Sequence, residues 1–164
     1  GDCLNVGCVP SKALLEFTAT AAPTDFDAAF SWLREVRAGI APHDSVERYT
    51  QLGVECFTGT AKIVSPWAVE VNGETLTAKS IIIATGARPL IPPIKGIEKV
   101  DYLTSDNVWS LRHLPERLVV LGGGPIGAEL TQAFGRLGSK VTQVEMAPSI
   151  LGREDPEISE AILG

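Results

Sequence analysis

One glycine-rich segment restricts the possible folds of this 164-residue chain more than any other feature. A short apolar strand is predicted over Leu118–Leu121, and it runs into Gly122-Gly123-Gly124-Pro125-Ile126-Gly127. A helix over Ala128–Leu137 and a second strand over Lys140–Val144 are predicted to follow. Strand, glycine-rich turn, helix and strand in this order form a βαβ unit, so the chain is predicted to have an α/β fold with a parallel sheet.

The glycines of this segment have the spacing of a dinucleotide-binding fingerprint. Gly122 allows a tight turn, Gly124 lets the backbone approach a pyrophosphate, and Gly127 lets the helix pack close to the strand. The unpaired N–H groups at the start of a helix favour phosphate charge. We assign Gly122, Gly124, Ile126 and Gly127 to a nucleotide site.

Glu145 follows the second predicted strand directly, about 20 residues after the glycine-rich segment. A carboxylate there can accept hydrogen bonds from ribose hydroxyls and would repel a 2′-phosphate. NAD is therefore favoured over NADP, although Lys140 and Arg153 are cations that could offset the acid.

Two cysteines, Cys3 and Cys8, flank Gly7 near the start of the chain. A disulfide between them would close a ring too small to stabilise the fold much, and such a bond suits repeated opening and closing. Gly7 would supply the backbone freedom that the bend requires. Two alternatives remain at this point: cysteines that fill a core, or half of a zinc site, although that site usually has a shorter cysteine spacing.

The composition excludes some classes of function. The net charge is −6 and no basic run offers a surface for nucleic acid. No apolar run reaches the roughly 20 residues that span a bilayer. Three cysteines form an odd and sparse set, which favours a cytosolic catalytic pair over a secreted disulfide framework. Cys56 is left over, and we expect it to be inert in a strand. Because the first residue is Gly1, we expect the true start to lie upstream.

Apolar periodicity and capping residues predict the other elements. The predicted helices are Ser11–Ala22, ended by Pro23, a helix from about Asp25 with apolar positions through Ile40, and Val46–Leu52, capped by Ser45. The predicted short strands are Val54–Phe57, Ala61–Val64, Ala68–Val71 and Thr75–Thr77, with a tight hairpin turn at Asn72-Gly73.

A continuous β-branched run, Ser80–Ala84, is predicted to be a strand buried on both faces of a parallel sheet. It leads into Thr85-Gly86-Ala87-Arg88-Pro89 and a proline-rich connector. A short helical or irregular bridge is predicted over Tyr102–Leu114. We place a domain boundary near Pro115, which divides the chain into residues 1–114 and 115–164.

The motifs together resemble those of the flavin-dependent pyridine nucleotide–disulfide oxidoreductases. The resemblance depends on Cys-Leu-Asn-Val-Gly-Cys-Val-Pro-Ser-Lys from Cys3 to Lys12, on Ala-Thr-Gly-Ala-Arg-Pro from Ala84 to Pro89, and on Gly-Gly-Gly-Pro-Ile-Gly-Ala-Glu from Gly122 to Glu129. It implies a two-domain FAD/NAD(P)-binding Rossmann-like fold with a three-layer ββα architecture, truncated at both ends. Residues 1–114 would be part of the FAD-binding domain, and 115–164 the start of the NAD(P)-binding domain.

The resemblance also implies roles for single residues. Cys3 would be the outer thiol that attacks substrate, and Cys8 the inner thiol against the flavin, with which it forms a redox-active disulfide. Lys12 would lie beside the reactive nitrogen of the flavin. Thr85 and Gly86 would bind FAD, and Glu129 would lie near the nicotinamide.

The family further implies FAD and NAD as cofactors, and a small-molecule disulfide, dithiol or metal ion as substrate. A cytoplasmic homodimer is expected. For the longer parent enzyme, a mercuric-reductase-like activity and dihydrolipoamide dehydrogenase are both open. A third hypothesis is a nucleotide-binding fragment without turnover, and we expect the isolated 164 residues to bind FAD weakly or not at all.

Overall fold

The structure is a computed structural model that describes residues 1–20 and 25–163. Its helices are α1 (Asp2–Asn5), α2 (Cys8–Thr20), α3 (Phe26–Ile40), α4 (Val46–Gln51), α5 (Pro125–Arg136) and α6 (Pro156–Leu163). Its strands are β1 (Ala61–Ser65), β2 (Ala68–Val71), β3 (Glu74–Thr77), β4 (Arg117–Leu121) and β5 (Lys140–Val144). Short 3-10 turns occupy Ala41–Asp44, Ile97–Lys99 and Val108–Ser110.

Residues at the starts of α2, α3 and α4 are compatible with a helix beginning there or cap it. Helix α2 begins at Cys8, earlier than predicted. Pro10 is compatible with this start, since it lies in the first turn, where its missing N–H costs no hydrogen bond. The Asp25 carboxylate accepts the Ala28 N–H at 2.8 Å and caps α3. The Ser45 hydroxyl accepts the Arg48 N–H at 3.1 Å, which confirms the predicted cap of α4. The predicted end of α2, from residue 21 to the proline at 23, lies outside the described residues.

A small antiparallel sheet has the strand order β1-β2-β3. The predicted hairpin turn is confirmed: Asn72 and Gly73 have φ angles of +54° and +81°, and Val71 pairs with Glu74 across the turn. Both central positions of this turn require positive φ, which asparagine and glycine tolerate best.

The predicted βαβ unit is also confirmed. Strands β4 and β5 pair in parallel, from Arg117 opposite Lys140 to Leu121 opposite Val144. Helix α5 connects them and begins at Pro125, before the predicted start at Ala128. A proline at the first helical position is favourable, since that N–H has no partner within the helix.

Two predicted strands are wrong. Residues 54–57 and 80–84 have no regular secondary structure, and the side chains of Ile82 and Ile83 are 90% and 69% exposed. A β-branched run favours an extended backbone, but a strand forms only when a second strand satisfies its N–H and C=O groups. Among the described residues, no strand pairs with either segment.

The hydrophobic core lies between α2, α3 and α5. Leu14, Phe30, Leu33 and Phe134 are its fully buried large side chains, and the rings of Phe30 and Phe134 meet at 64° with centroids 6.4 Å apart. The core therefore contains residues from both sides of the predicted boundary near Pro115, which stays a prediction. None of the described helices has the length and apolar character that a bilayer span requires.

Candidate active site

The thiol pair lies on two short consecutive helical segments. Cys3 is in α1, and Cys8 is the first residue of α2. A Cβ at Gly7, between them, would lie 3.1 Å from the Asp2 carbonyl oxygen and 3.3 Å from the Cys3 Cα. Gly7 is not among the positive-φ glycines. The bend therefore favours a glycine for its close approach to the chain, and not for a left-handed conformation.

Cys3 and Cys8 are exposed free thiols that contact each other. A hydrogen bond with the Cys8 thiol is the main cause that raises the pKa of the Cys3 thiol above its ordinary value. Because the two sulfurs are neighbours, the predicted disulfide requires no large rearrangement, but the pairing itself stays a prediction.

Lys12 and Glu129 form an ion pair that links the two halves of the site. The Lys12 Nζ lies 2.5 Å from the Glu129 Oε1, and the side chains are 62% and 26% exposed. Lys12 follows Cys8 by one helical turn, so both residues lie on one side of α2. The sequence predicted each of these two as a site residue, but it did not predict their contact. An exposed pair stabilises a fold by only about 0–1 kcal/mol. The shared core therefore positions α2 and α5, and the ion pair shows which side chains that packing brings together.

The loop from Thr85 to Arg88 borders a cleft against α1. The cleft has a volume of about 700 Å³. Its lining residues are Gly1, Asp2, Asn5, Val6, Thr85, Gly86, Ala87, Arg88 and Asp106. Gly86 has a φ of +72°, and the Ala87 N–H donates to the Asp2 carboxylate at 2.9 Å. The predicted flavin residues Thr85 and Gly86 thus border an open cleft beside the helix that carries Cys3.

Sequence reasoning missed Asp2. The one feature of the sequence that could have identified Asp2 as a site residue was its position directly before Cys3, at a predicted bend.

The glycine-rich segment combines a tight turn with open space at the start of a helix. Gly122 has a φ of +112°, and a Cβ at Gly127 would overlap the Gly122 carbonyl oxygen. Gly124 is the N-cap of α5, and no atom lies within 4 Å of the position of its absent Cβ. Open space at the start of a helix fits a phosphate group that approaches the backbone. Ile126 lies in the first turn of α5 and is 62% exposed.

Glu145 supports this loop directly. Its carboxylate accepts the Gly123 N–H at 2.5 Å and the Ala147 N–H at 2.8 Å. These backbone hydrogen bonds, chiefly the one from Ala147, lower the pKa of Glu145. Gln143, which sequence reasoning missed, donates to the Gly122 carbonyl oxygen at 3.0 Å. A carboxylate has about four acceptor positions, and these two bonds leave room for a ribose hydroxyl. Contact between Glu145 and a ribose stays a prediction.

Cys56 lies apart from these groups. It is exposed and outside any strand, and its thiol lies 3.8 Å from the Val54 carbonyl oxygen. The expected inertness depended on a strand that did not form. Across residues 1–20 and 25–163, no group of three or more His, Cys, Asp or Glu side chains is arranged to hold a metal ion.

Comparison with known proteins finds relatives named mercuric reductase and dihydrolipoyl dehydrogenase. The chain is 43% identical to a mercuric reductase of Bacillus cereus over 99% of its own length and 28% of that protein. It is 34% identical to a dihydrolipoyl dehydrogenase of Acholeplasma laidlawii, over 98% of the chain and 54% of that protein. The chain therefore spans only 28% to 54% of the length of these two curated relatives.

A solved structure shares the fold. The Cu(II) complex of the HOCl-induced flavoprotein disulfide reductase RclA from Escherichia coli matches with a TM-score of 0.83 and 32% identity, over 99% of this chain and 37% of that one. Residues 1–164 match the family described as pyridine nucleotide-disulphide oxidoreductase. The match covers the thiol pair, the loop after Ala84 and the glycine-rich segment together, so the chain belongs to the pyridine nucleotide-disulphide oxidoreductase family, as its motifs predicted.

Proposed function

We propose that this chain belongs to a flavin-dependent oxidoreductase that passes electrons between NAD(P)H, FAD and the Cys3–Cys8 pair. The ion pair between Lys12 and Glu129 is the observation that carries this proposal. It joins the helix that begins at Cys8 to the helix that begins at the glycine-rich segment. The residues assigned to thiol chemistry and to nucleotide binding are thereby in direct contact.

The residues present fit both cofactors. The cleft beside Thr85 and Gly86, with Lys12 on α2, would hold FAD. The open backbone at Gly124, together with Gly122, Ile126, Gly127, Glu129 and Glu145, would hold the dinucleotide. When bound, the nicotinamide supplies a hydride and the flavin relays two electrons.

The thiol pair would exchange those electrons with substrate. A Cys3–Cys8 disulfide takes up two electrons and two protons and becomes two thiols. Cys3 is the outer thiol in this proposal, and Cys8 the one nearer the flavin. The exposure of both sulfurs leaves them accessible to a substrate from solvent.

A divalent metal ion is the substrate that we favour, as in a mercuric-reductase-like enzyme. Two thiolates are suitable ligands for a soft cation. Transfer of two electrons to the ion would re-form the disulfide, release two protons and leave the metal in the zero-valent state. The 43% identity to the Bacillus cereus mercuric reductase supports this choice.

A dihydrolipoyl dehydrogenase is the second candidate. In that case the Cys3–Cys8 disulfide oxidises a dithiol substrate, which becomes a disulfide itself. The electrons then pass from the thiol pair towards the dinucleotide instead of away from it. The Acholeplasma relative supports it at 34% identity. Mercuric-ion-dependent oxidation of NADH, compared with lipoamide turnover by the full-length protein, separates the two candidates.

NAD is the dinucleotide that we favour. The lowered pKa keeps Glu145 ionised, and its negative charge opposes a 2′-phosphate. In the described part of the chain, neither Lys140 nor Arg153 forms an ion pair with Glu145. Replacing Glu145 by Ala should narrow the preference for NADH over NADPH. An unchanged ratio of the activities with the two dinucleotides would show that Glu145 does not discriminate between their riboses.

A cytoplasmic homodimer without nucleic-acid partners completes the proposal. An odd and sparse set of three cysteines suits a reducing compartment, and the net charge of −6 opposes binding to phosphate backbones.

Absorption spectroscopy of the full-length, flavin-loaded protein tests the role of the thiols. After reduction by NADH, a Cys8 thiolate against the flavin should produce a long-wavelength band. Cys8→Ser should abolish that band and leave FAD bound, whereas the matched control Cys56→Ser should retain it. Persistence of the band in Cys8→Ser would refute the assignment.

A further inference from the structure

Asp2 lies where the thiol segment meets the loop that borders the cleft. It is the first residue of α1 and directly precedes Cys3. Its Oδ2 accepts the Ala87 N–H at 2.9 Å, across 85 positions of sequence. The same carboxylate occupies the space into which a Cβ at Gly86 would project. Gly86 is thus favoured by its φ of +72°, and a Cβ there would also displace the Asp2 carboxylate.

The hydrogen bond between Ala87 and Asp2 connects the loop around Gly86 to α1. Residues 79–91 lie outside any helix or strand. Within the described part of the chain, the Ala87 N–H bond to Asp2 is the one hydrogen bond that this segment makes. A segment with so few backbone bonds opens readily, so a single acceptor has a large influence on where the loop lies.

We infer that Asp2 is a positioning residue that holds the loop Thr85–Ala87 against the helix carrying Cys3. The consequence for activity rests on the proposed function, in which Thr85 and Gly86 contact a flavin and Cys3 exchanges electrons with substrate. Asp2 acts through the loop: it fixes one wall of the cleft relative to the thiol pair. The geometry of the hydrogen bond stands independently of any cofactor.

Two substitutions separate the hydrogen bond from the charge. Asp2→Asn removes the negative charge but keeps a side-chain oxygen that can accept the Ala87 N–H. Asp2→Ala removes both the charge and the acceptor. A general electrostatic effect on the nearby Cys3 would appear in both variants, whereas loss of the loop's attachment would appear only in Asp2→Ala.

Hydrogen–deuterium exchange of the full-length protein as purified tests the inference. In Asp2→Ala, the Ala87 amide should exchange about five to ten times faster, the factor expected for loss of one hydrogen bond. In Asp2→Asn, the rate should stay within about twofold of the original. Peptides from α3 should be unchanged in both variants, which excludes global unfolding. An unchanged rate in Asp2→Ala, or equal rates in the two variants, would overturn the inference.

A double-mutant cycle gives an independent test. Gly86→Ala introduces backbone strain at positive φ whatever residue stands at position 2. It should cost more stability in the original chain than in Asp2→Ala, because only the original carboxylate overlaps the new Cβ. Equal costs in both backgrounds would contradict the close approach. Flavin content of the same samples is recorded separately: a full-length protein without flavin refutes the proposed function and leaves both tests of Asp2 valid.

Discussion

Replacing Gly127 by Ala should destabilise the protein, although alanine is the better helix former. Gly127 lies within α5, where the exchange by itself would stabilise by about 1 kcal/mol. The new Cβ, however, would overlap the Gly122 carbonyl oxygen, a backbone atom that cannot rotate away. Overpacking of this kind costs roughly 1–3 kcal/mol. The net expectation is a loss of about 1 kcal/mol and a displaced glycine-rich loop.

Gly135 offers a matched control on the same helix. It is exposed, and no atom lies within 4 Å of the position of its absent Cβ. Gly135→Ala should therefore stabilise by about 0.5–1 kcal/mol. The two variants should differ by about 2 kcal/mol in the free energy of unfolding.

Urea denaturation of both variants in the same full-length background measures this difference. Affinity for NADH supplies a second readout, because only Gly127→Ala should displace the N–H groups that would receive the pyrophosphate. The reasoning would be refuted if Gly127→Ala were as stabilising as Gly135→Ala, with unchanged affinity for NADH.

Three further predictions follow from the loops and the free thiol. The pKa of Glu145 is lowered from its ordinary value of 4.5, so its hydrogen bonds stabilise the protein above that pH and are lost as the pH falls through the lowered value. Glu145→Gln should thus lose less stability on acidification in urea titrations between about pH 6 and 3; parallel curves would contradict this. Asn72→Ala should be about 1 kcal/mol less stable than Asn72→Gly, because only alanine is strained at the φ of +54°; equal stabilities would count against strain at this turn. Cys56, which is exposed, should react with a thiol reagent in the native protein, and Cys56→Ser should lower the number of reactive thiols by one; an unchanged number would mean that the thiol is shielded.

Local features of this chain were predictable from the sequence. The helix start near Asp25, the cap at Ser45, the Asn72-Gly73 turn and the βαβ unit all depend on residues a few positions apart. Within such short stretches, a side-chain oxygen or a glycine selects a backbone conformation without help from the rest of the protein. The conformation of the glycine-rich segment was predictable for the same reason, down to the close approach that a glycine at position 127 allows.

Contacts between distant segments depended on the tertiary structure. Lys12 and Glu129 are 117 positions apart, and they meet because α2 and α5 share one core. The bond between Asp2 and Ala87, and the support that Gln143 gives to Gly122, likewise required the packed chain. The run Ser80–Ala84 is a case in which local composition misled. Its β-branched residues favoured a strand, but among the described residues no neighbouring strand pairs with it. The sequence by itself thus determined the elements whose hydrogen-bond partners lie nearby in the chain. Only packing decided which distant groups meet, because those partners are brought together by burial of a shared apolar core.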